Sequence, residues 1–195
     1  MFLKRNDMLA VLGLYCANYA RRLYLREISR LSKLPLKTTH VMLVRLEKSA
    51  VIKSSIQGKN KYFTLNMENA ETKLYLLQAE IYKTLVFVER YPLFKPFLKE
   101  LKNVSAPLIV FGSFAKFTAD KNSDIDMLVI SDDNPDMPFY MLPGRIHKIS
   151  LSEKEFMRGV ETNETLIKEI EENHVILNNH CFLVNKMWGS YAGQA

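Results

Sequence analysis

Cysteine is scarce: Cys16 and Cys181 are the two in 195 residues, too few for a disulfide framework. Each lies among apolar neighbours, as buried thiols of a reducing cytosol do. Histidine is as thin, with 4 in the chain, and no Cys/His spacing matches a zinc site. Long apolar runs are missing too, so beyond the first residues nothing approaches the length of a membrane span. Those first residues place Lys4 and Arg5 before an apolar run, as a signal peptide does. Asp7 interrupts the charge, however, and apolar positions continue at helical spacing, which predicts a packed first helix instead. Internal repeats and low-complexity tracts are also lacking. What these absences leave is a cytoplasmic chain with no membrane partner, whose 48% hydrophobic content can build real cores in one large or two small domains.

Acidic residues are scarce in one part only. Residues 1–66 hold 13 Lys/Arg against 3 Asp/Glu, whereas the remaining 129 hold 14 against 18, a net of +10 beside a net of −4. That asymmetry predicts a basic module that meets a polyanion, joined to a mildly acidic module with another task.

Within the basic part, Leu9, Leu12, Cys16, Tyr19 and Leu23 recur at spacings of three and four and predict a helix over residues 7–22. A second helix fits residues 25–32. Pro35 breaks the chain, and a third helix over residues 36–49 turns Leu43 and Leu46 inward. Residues 51–65 read as a basic β-hairpin turning at residues 57–60. Three helices followed by a basic hairpin resemble the winged helix-turn-helix of DNA-binding regulators, over about a third of the chain. The resemblance implies that the helix after Pro35 enters the major groove of duplex DNA with Lys37, Thr38, Thr39 and His40 at its exposed start. Arg45 and Lys48, or Lys53, Lys59 and Lys61 of the hairpin, would contact phosphates. The competing reading is a basic module that only docks proteins or dimerises. The charge of +10 exceeds what solubility requires and favours DNA.

Residues 66–90 carry Leu74, Leu77, Ile81, Leu85 and Val88 at helical spacing and predict one long amphipathic helix. Its apolar stripe either joins the domains or pairs two copies in a homodimer, and the pattern alone leaves both open. Tyr91-Pro92 ends it, and a short helix over residues 95–103 follows.

The chemistry concentrates in residues 111–130. Apolar runs at residues 107–111 and 127–130 read as buried strands. Gly112 and Ser113 end the first, ten residues follow, and Asp124 and Asp126 then alternate with Ile125 and Met127. At period two both carboxylates face one way. Side by side they repel and need a cation, and hard oxygen ligands suit Mg²⁺, which also binds phosphates. Gly112 lets the backbone approach a ligand closely, and Ser113 with the following N–H groups can hold phosphate oxygens. Further on, residues 131–143 read as a loop, 145–151 as a third strand, Ser152 to Glu155 as a capping box and 162–173 as a helix. Residues 174–177 and 180–184 read as short extended pieces, and 189–195 as a flexible tail.

The Gly-Ser pair, the spacer, Ser123 and Asp124-Ile125-Asp126 resemble the signature of the DNA polymerase β nucleotidyltransferase superfamily, in particular its minimal nucleotidyltransferases, over roughly residues 93–184. The two resemblances, with the long helix read between them, imply an α+β fold: a winged helix-turn-helix domain (residues 1–66), a connecting long helix (67–91), then a small mixed-sheet nucleotidyltransferase domain (92–188). The second implies that Gly112 and Ser113 hold the nucleoside triphosphate, that Lys116 keeps positive charge near its phosphates, and that Asp124 and Asp126 are catalytic and bind Mg²⁺. It further implies transfer of AMP from ATP to a protein or nucleic-acid hydroxyl, and a protein partner such as the helical toxin of an antitoxin-like pair. Two departures stand out. Members commonly read Arg-Gly where this chain has Lys116-Phe117, so the bidentate fork of Arg is gone and a left-handed glycine position is occupied by a bulky residue. A third carboxylate is expected on the strand at 145–151, which holds none. His147 and Ile149 share the face where it belongs, and Glu153 and Glu155 lie just beyond. The alternative is a DNA-bound regulator whose degenerate transferase domain senses nucleotide or docks a partner.

Overall fold

Asn6 starts the first helix: its side chain accepts a hydrogen bond from the Leu9 N–H, capping α1 (Asp7–Leu12). This is seen in a computed structural model that describes residues 5–133 and 135–192. The expected helix over 7–22 stops here. After Gly13 the backbone tightens into i→i+3 turns, Leu14 N–H to Val11 O and Tyr15 N–H to Leu12 O at 3.2 and 2.9 Å. Those turns advance much as a helix does, so Leu12, Cys16, Tyr19 and Leu23 are still buried. Tyr15 is buried as well, and its hydroxyl donates to Phe63 O at 3.1 Å.

A two-residue strand, β1 (Leu23–Tyr24), precedes α2 (Leu25–Ser32) and α3 (Leu36–Lys48). The hairpin is present as β2 (Ile52–Gln57) and β3 (Asn60–Leu65), with Gln57 opposite Asn60. The loop between them is Gly58-Lys59, and Gly58 takes φ +60°, as a two-residue hairpin turn demands. β1 adds to the other side of β3, a pairing too short for pattern reading to find.

The long helix forms as α4 (Ala70–Arg90), but it buries a different side from the one expected. Thr72, Leu76, Ala79, Glu80, Thr84 and Phe87 are buried, whereas Leu74, Ile81 and Leu85 are 56%, 42% and 49% exposed. Apolar residues surround this helix, so the period alone could not choose the packed face. Among the described residues, the chain divides within this helix into two compact units, Lys83–Leu183 and residues 5–82, the latter joined by residues 184–192.

The unit beginning at Lys83 contains α5 (Phe94–Glu100), β4 (Leu108–Phe111), α6 (Gly112–Ala115), β5 (Ile125–Ile130), β6 (Ile146–Leu151), α7 (Glu153–Glu161), α8 (Thr165–Glu172) and β7 (Val175–Asn178). Its mixed sheet runs β6-β5-β4-β7, with β5 and β6 parallel and the other pairs antiparallel. Phe87, Tyr91, Phe94 and Phe97 pack with Leu108, Val110, Phe114, Ile125 and Met127 into the core beneath it. The capping box at Ser152 and Glu155 forms. Past β7 the sequence reading is corrected: residues 180–184 begin α9 (His180–Ala192) rather than an extended piece, and residues 189–192 continue it rather than trailing off. The remainder of that expected tail, 193–195, lies outside the described residues. Cys16 is buried but Cys181 is exposed, because it falls on the outer side of a helix and not within a strand. Among the described residues, no helix is long and apolar enough to cross a membrane.

Candidate active site

β4 is buried along its whole length and delivers Phe111 to the edge of the core, where the chain turns at Gly112 into the single turn of α6. Gly112 has φ +67°, a conformation that L side chains rarely adopt, and a Cβ built there would collide with Oδ2 of Asp126. Asp126 sits opposite Phe111 on one side and opposite His147 on the other. Its Oδ1 is 3.2 Å from His147 Nδ1. The carboxylate is thus bracketed by the Gly112 backbone at one oxygen and an imidazole at the other. Asp124 is the residue immediately before Ile125, the first of β5, and is exposed. Ser113 is half-buried, and its carbonyl accepts from the N–H of Thr118 at 3.0 Å. Ser123 is committed locally, its hydroxyl donating to Asp120 Oδ1 at 3.1 Å in the turn that leads into β5.

Lys116 ends α6, and its Nζ is 3.0 Å from Glu169 Oε1 on α8. Both side chains are more than 40% exposed, so the pair is weakly held and the ammonium can be recruited by a stronger anion. Phe117 keeps the left-handed conformation expected of the missing glycine, at φ +59°. Strain of this kind costs on the order of 1–3 kcal/mol, and it is offset by ring packing against Phe87 and Tyr91, each at 6.2 Å. Tyr91 is 9% exposed, and its hydroxyl is a buried polar atom without a hydrogen-bond partner. The sequence offered only its place before a proline, which gives no hint of that.

The third-acid candidates separate cleanly. His147 lies beside Asp126, with Ile149 two residues on and opposite Leu128. Glu153 and Glu155 follow the far end of β6. Four residue steps along the strand, about 13 Å, part His147 from Leu151, so neither glutamate accompanies the aspartate pair. Glu155 is also engaged: its carboxylate accepts from the Ser152 N–H and hydroxyl, which hold its pKa below the ordinary value. Among the described residues, no group of three or more His, Cys, Asp or Glu side chains stands ready to hold a metal. The chain's contribution is smaller, the carboxylates of Asp124 and Asp126, the latter with its Oδ2 in the space that the missing Cβ of Gly112 leaves. Such a set fits a hard divalent cation that draws its remaining ligands from water and phosphate.

In the basic unit, Lys37, His40, Arg45, Lys48, Lys53, Lys59 and Lys61 are exposed and Thr38 is half-buried. Thr39 corrects the expectation: it is fully buried and its hydroxyl donates to Pro35 O at 3.1 Å, so it holds the start of α3 and cannot touch DNA. Two hairpin lysines are paired, Lys53 with Glu68 at 2.7 Å and Lys61 with Glu47 at 2.9 Å. Arg26 and Arg30 are also exposed, one turn apart on α2, and their spacing of four in a predicted helix is the sequence signal for them.

A small mixed sheet sets the Gly112-Ser113 turn against the acidic start of β5, within an α+β domain. Residues 92–187 match the family model described as "Nucleotidyltransferase domain". That match supports a nucleotidyltransferase domain in the C-terminal part of the chain and nucleotidyl transfer as its general activity. No curated protein and no solved structure matches the chain.

Proposed function

We propose that the chain is a Mg²⁺-dependent nucleotidyltransferase that moves AMP from ATP to a hydroxyl of a protein or nucleic acid, and that its N-terminal part is a winged helix that binds duplex DNA. The observation that carries the first half is the placement of Asp126 against Gly112, with Asp124 two residues earlier. In this reading Asp124 and Asp126 hold Mg²⁺ on the triphosphate, Gly112 and Ser113 bind phosphate oxygens, and Lys116 leaves Glu169 for the phosphates. A divalent cation held by Asp124 and Asp126 would supply neutralisation of the charge that develops on the α-phosphate as the acceptor oxygen attacks and pyrophosphate departs. Incubation with ATP labelled on the α-phosphate and Mg²⁺, resolved on gels with and without cellular partners, tests it. Label transfer that persists in Asp124→Asn/Asp126→Asn overturns it.

The second half rests on the exposed basic residues of α2, α3 and the hairpin, which form the electrostatic part of a DNA interface. The exposed Leu74, Ile81 and Leu85 favour a homodimer, and transfer to a helical toxin in an antitoxin-like pair is one acceptor the gels would reveal. The absence of a carboxylate from β6 favours the second reading, a DNA-bound regulator that senses nucleotide or docks a partner without turnover. ATP binding without label transfer in any extract selects it.

A further inference from the structure

β6 lacks an acid, yet it is not chemically blank where one would stand. His147 is the register partner of Asp126, and its side chain is 63% exposed, so the ring is open to solvent and ligands. Its Nδ1 lies 3.2 Å from Asp126 Oδ1. That separation suits a hydrogen bond. It also suits two neighbouring ligands of one octahedral cation, which at bonds of about 2.1 Å lie about 3.0 Å apart. Imidazole nitrogen is a poor ligand for Mg²⁺ and a good one for first-row transition ions, while carboxylate serves both.

We propose that His147 is a metal ligand, binding through Nδ1 beside Asp126 Oδ1, and that the resulting mixed nitrogen–oxygen site prefers a divalent transition ion such as Co²⁺ to Mg²⁺. The preference follows from the donor exchange alone: an imidazole replaces the third carboxylate, so the site loses one negative charge and one hard oxygen. Coordination uses the Nδ1 lone pair and leaves the ring proton on Nε2, which the exposure of the side chain allows water to solvate. The inference rests on the nucleotidyltransferase reading for the metal's role but not for its binding.

The test uses the full chain and the metals alone. Calorimetric titration with MgCl₂ and CoCl₂ gives two affinities for the wild type, His147→Gln and His147→Asp, with circular dichroism as the check on folding. Loss of the ring in His147→Gln should lower the Co²⁺ to Mg²⁺ affinity ratio by roughly tenfold or more, judged from the sensitivity of metal sites to their supporting groups. His147→Asp should reverse the preference by raising Mg²⁺ affinity. The Co²⁺-loaded wild type should show a paramagnetically shifted, exchangeable imidazole N–H resonance that His147→Gln lacks. An unchanged ratio with no such resonance overturns the proposal and leaves His147 as a hydrogen-bond donor that steadies Asp126. Failure of Co²⁺ to bind at all overturns it too. Label transfer with Mg²⁺ alongside an unchanged ratio would sink this inference and spare the nucleotidyltransferase reading. A shifted ratio without any transfer would do the opposite.

Discussion

Gly112 and Asp126 compete for one volume: the space that a side chain on Gly112 would need is filled by Oδ2 of Asp126. Two demands therefore meet at position 112, a positive φ and the close approach of a carboxylate from the neighbouring strand.

Gly112→Ala should fail on both counts. A left-handed alanine alone costs on the order of 1–2 kcal/mol, and the collision pushes Asp126 aside. Denaturant titration should show a loss of at least that size, and metal-dependent ATP binding should vanish even at temperatures where the variant is folded. Unchanged stability would mean that the turn adopts another conformation.

Much of this site was legible because its signals are local. Gly112, Ser113, Asp124 and Asp126 stand close in sequence between strands whose apolar runs are short and uninterrupted, and the strands formed where those runs lie. The capping box at Ser152 is likewise a four-residue signal. What was not legible depends on which face of an element meets the rest of the protein. Leu74, Ile81 and Leu85 have the period of a packed stripe, yet Thr72, Leu76 and Ala79 are the residues inside. Thr39 reads as an exposed polar group at a helix start until its hydroxyl is seen bonded to Pro35 O. The extent of α9 was missed because His180, Asn185 and Gly189 interrupt its apolar pattern, and no periodicity weighs the burial of Leu183, Val184 and Met187 that holds it.

Phe117 offers a measure of stored strain. Phe117→Ala keeps the left-handed backbone and loses the ring contacts with Phe87 and Tyr91, so it should destabilise. Phe117→Gly loses the same contacts and relieves the strain, and should be the more stable of the two by about 1 kcal/mol. Equal stabilities, measured by urea denaturation, would show that the turn relaxes in both.

Tyr91 carries a buried hydroxyl with no partner, against Phe114 at 5.0 Å on the turn that bears Gly112 and Ser113. Removing an unsatisfied buried group recovers its desolvation cost, so Tyr91→Phe should be neutral or stabilising by about 1 kcal/mol. A clear loss of stability in thermal unfolding would mean that ordered water satisfies the hydroxyl. A loss of ATP affinity without a loss of stability would place the hydroxyl on the nucleotide instead.

Glu47 links acid stability to the proposed DNA face. Its carboxylate accepts hydrogen bonds from the Ser54 hydroxyl and the Lys61 ammonium, which hold its pKa below the ordinary 4.5. A depressed folded-state pKa contributes stability above the unfolded value, and that contribution fades as pH falls through the folded one. Glu47→Gln should therefore be destabilising at neutral pH, by no more than about 1 kcal/mol for so exposed a pair, and the gap to wild type should close below pH 4.5. The same change frees Lys61. If Lys61 then meets a phosphate, the slope of log K against log salt for duplex DNA should steepen by about 0.9, whereas Lys59→Ala should flatten it by a similar amount. Fluorescence anisotropy across a salt series reads both slopes. A slope unmoved by either substitution would remove the hairpin from the interface and leave any DNA contact to α2 and α3.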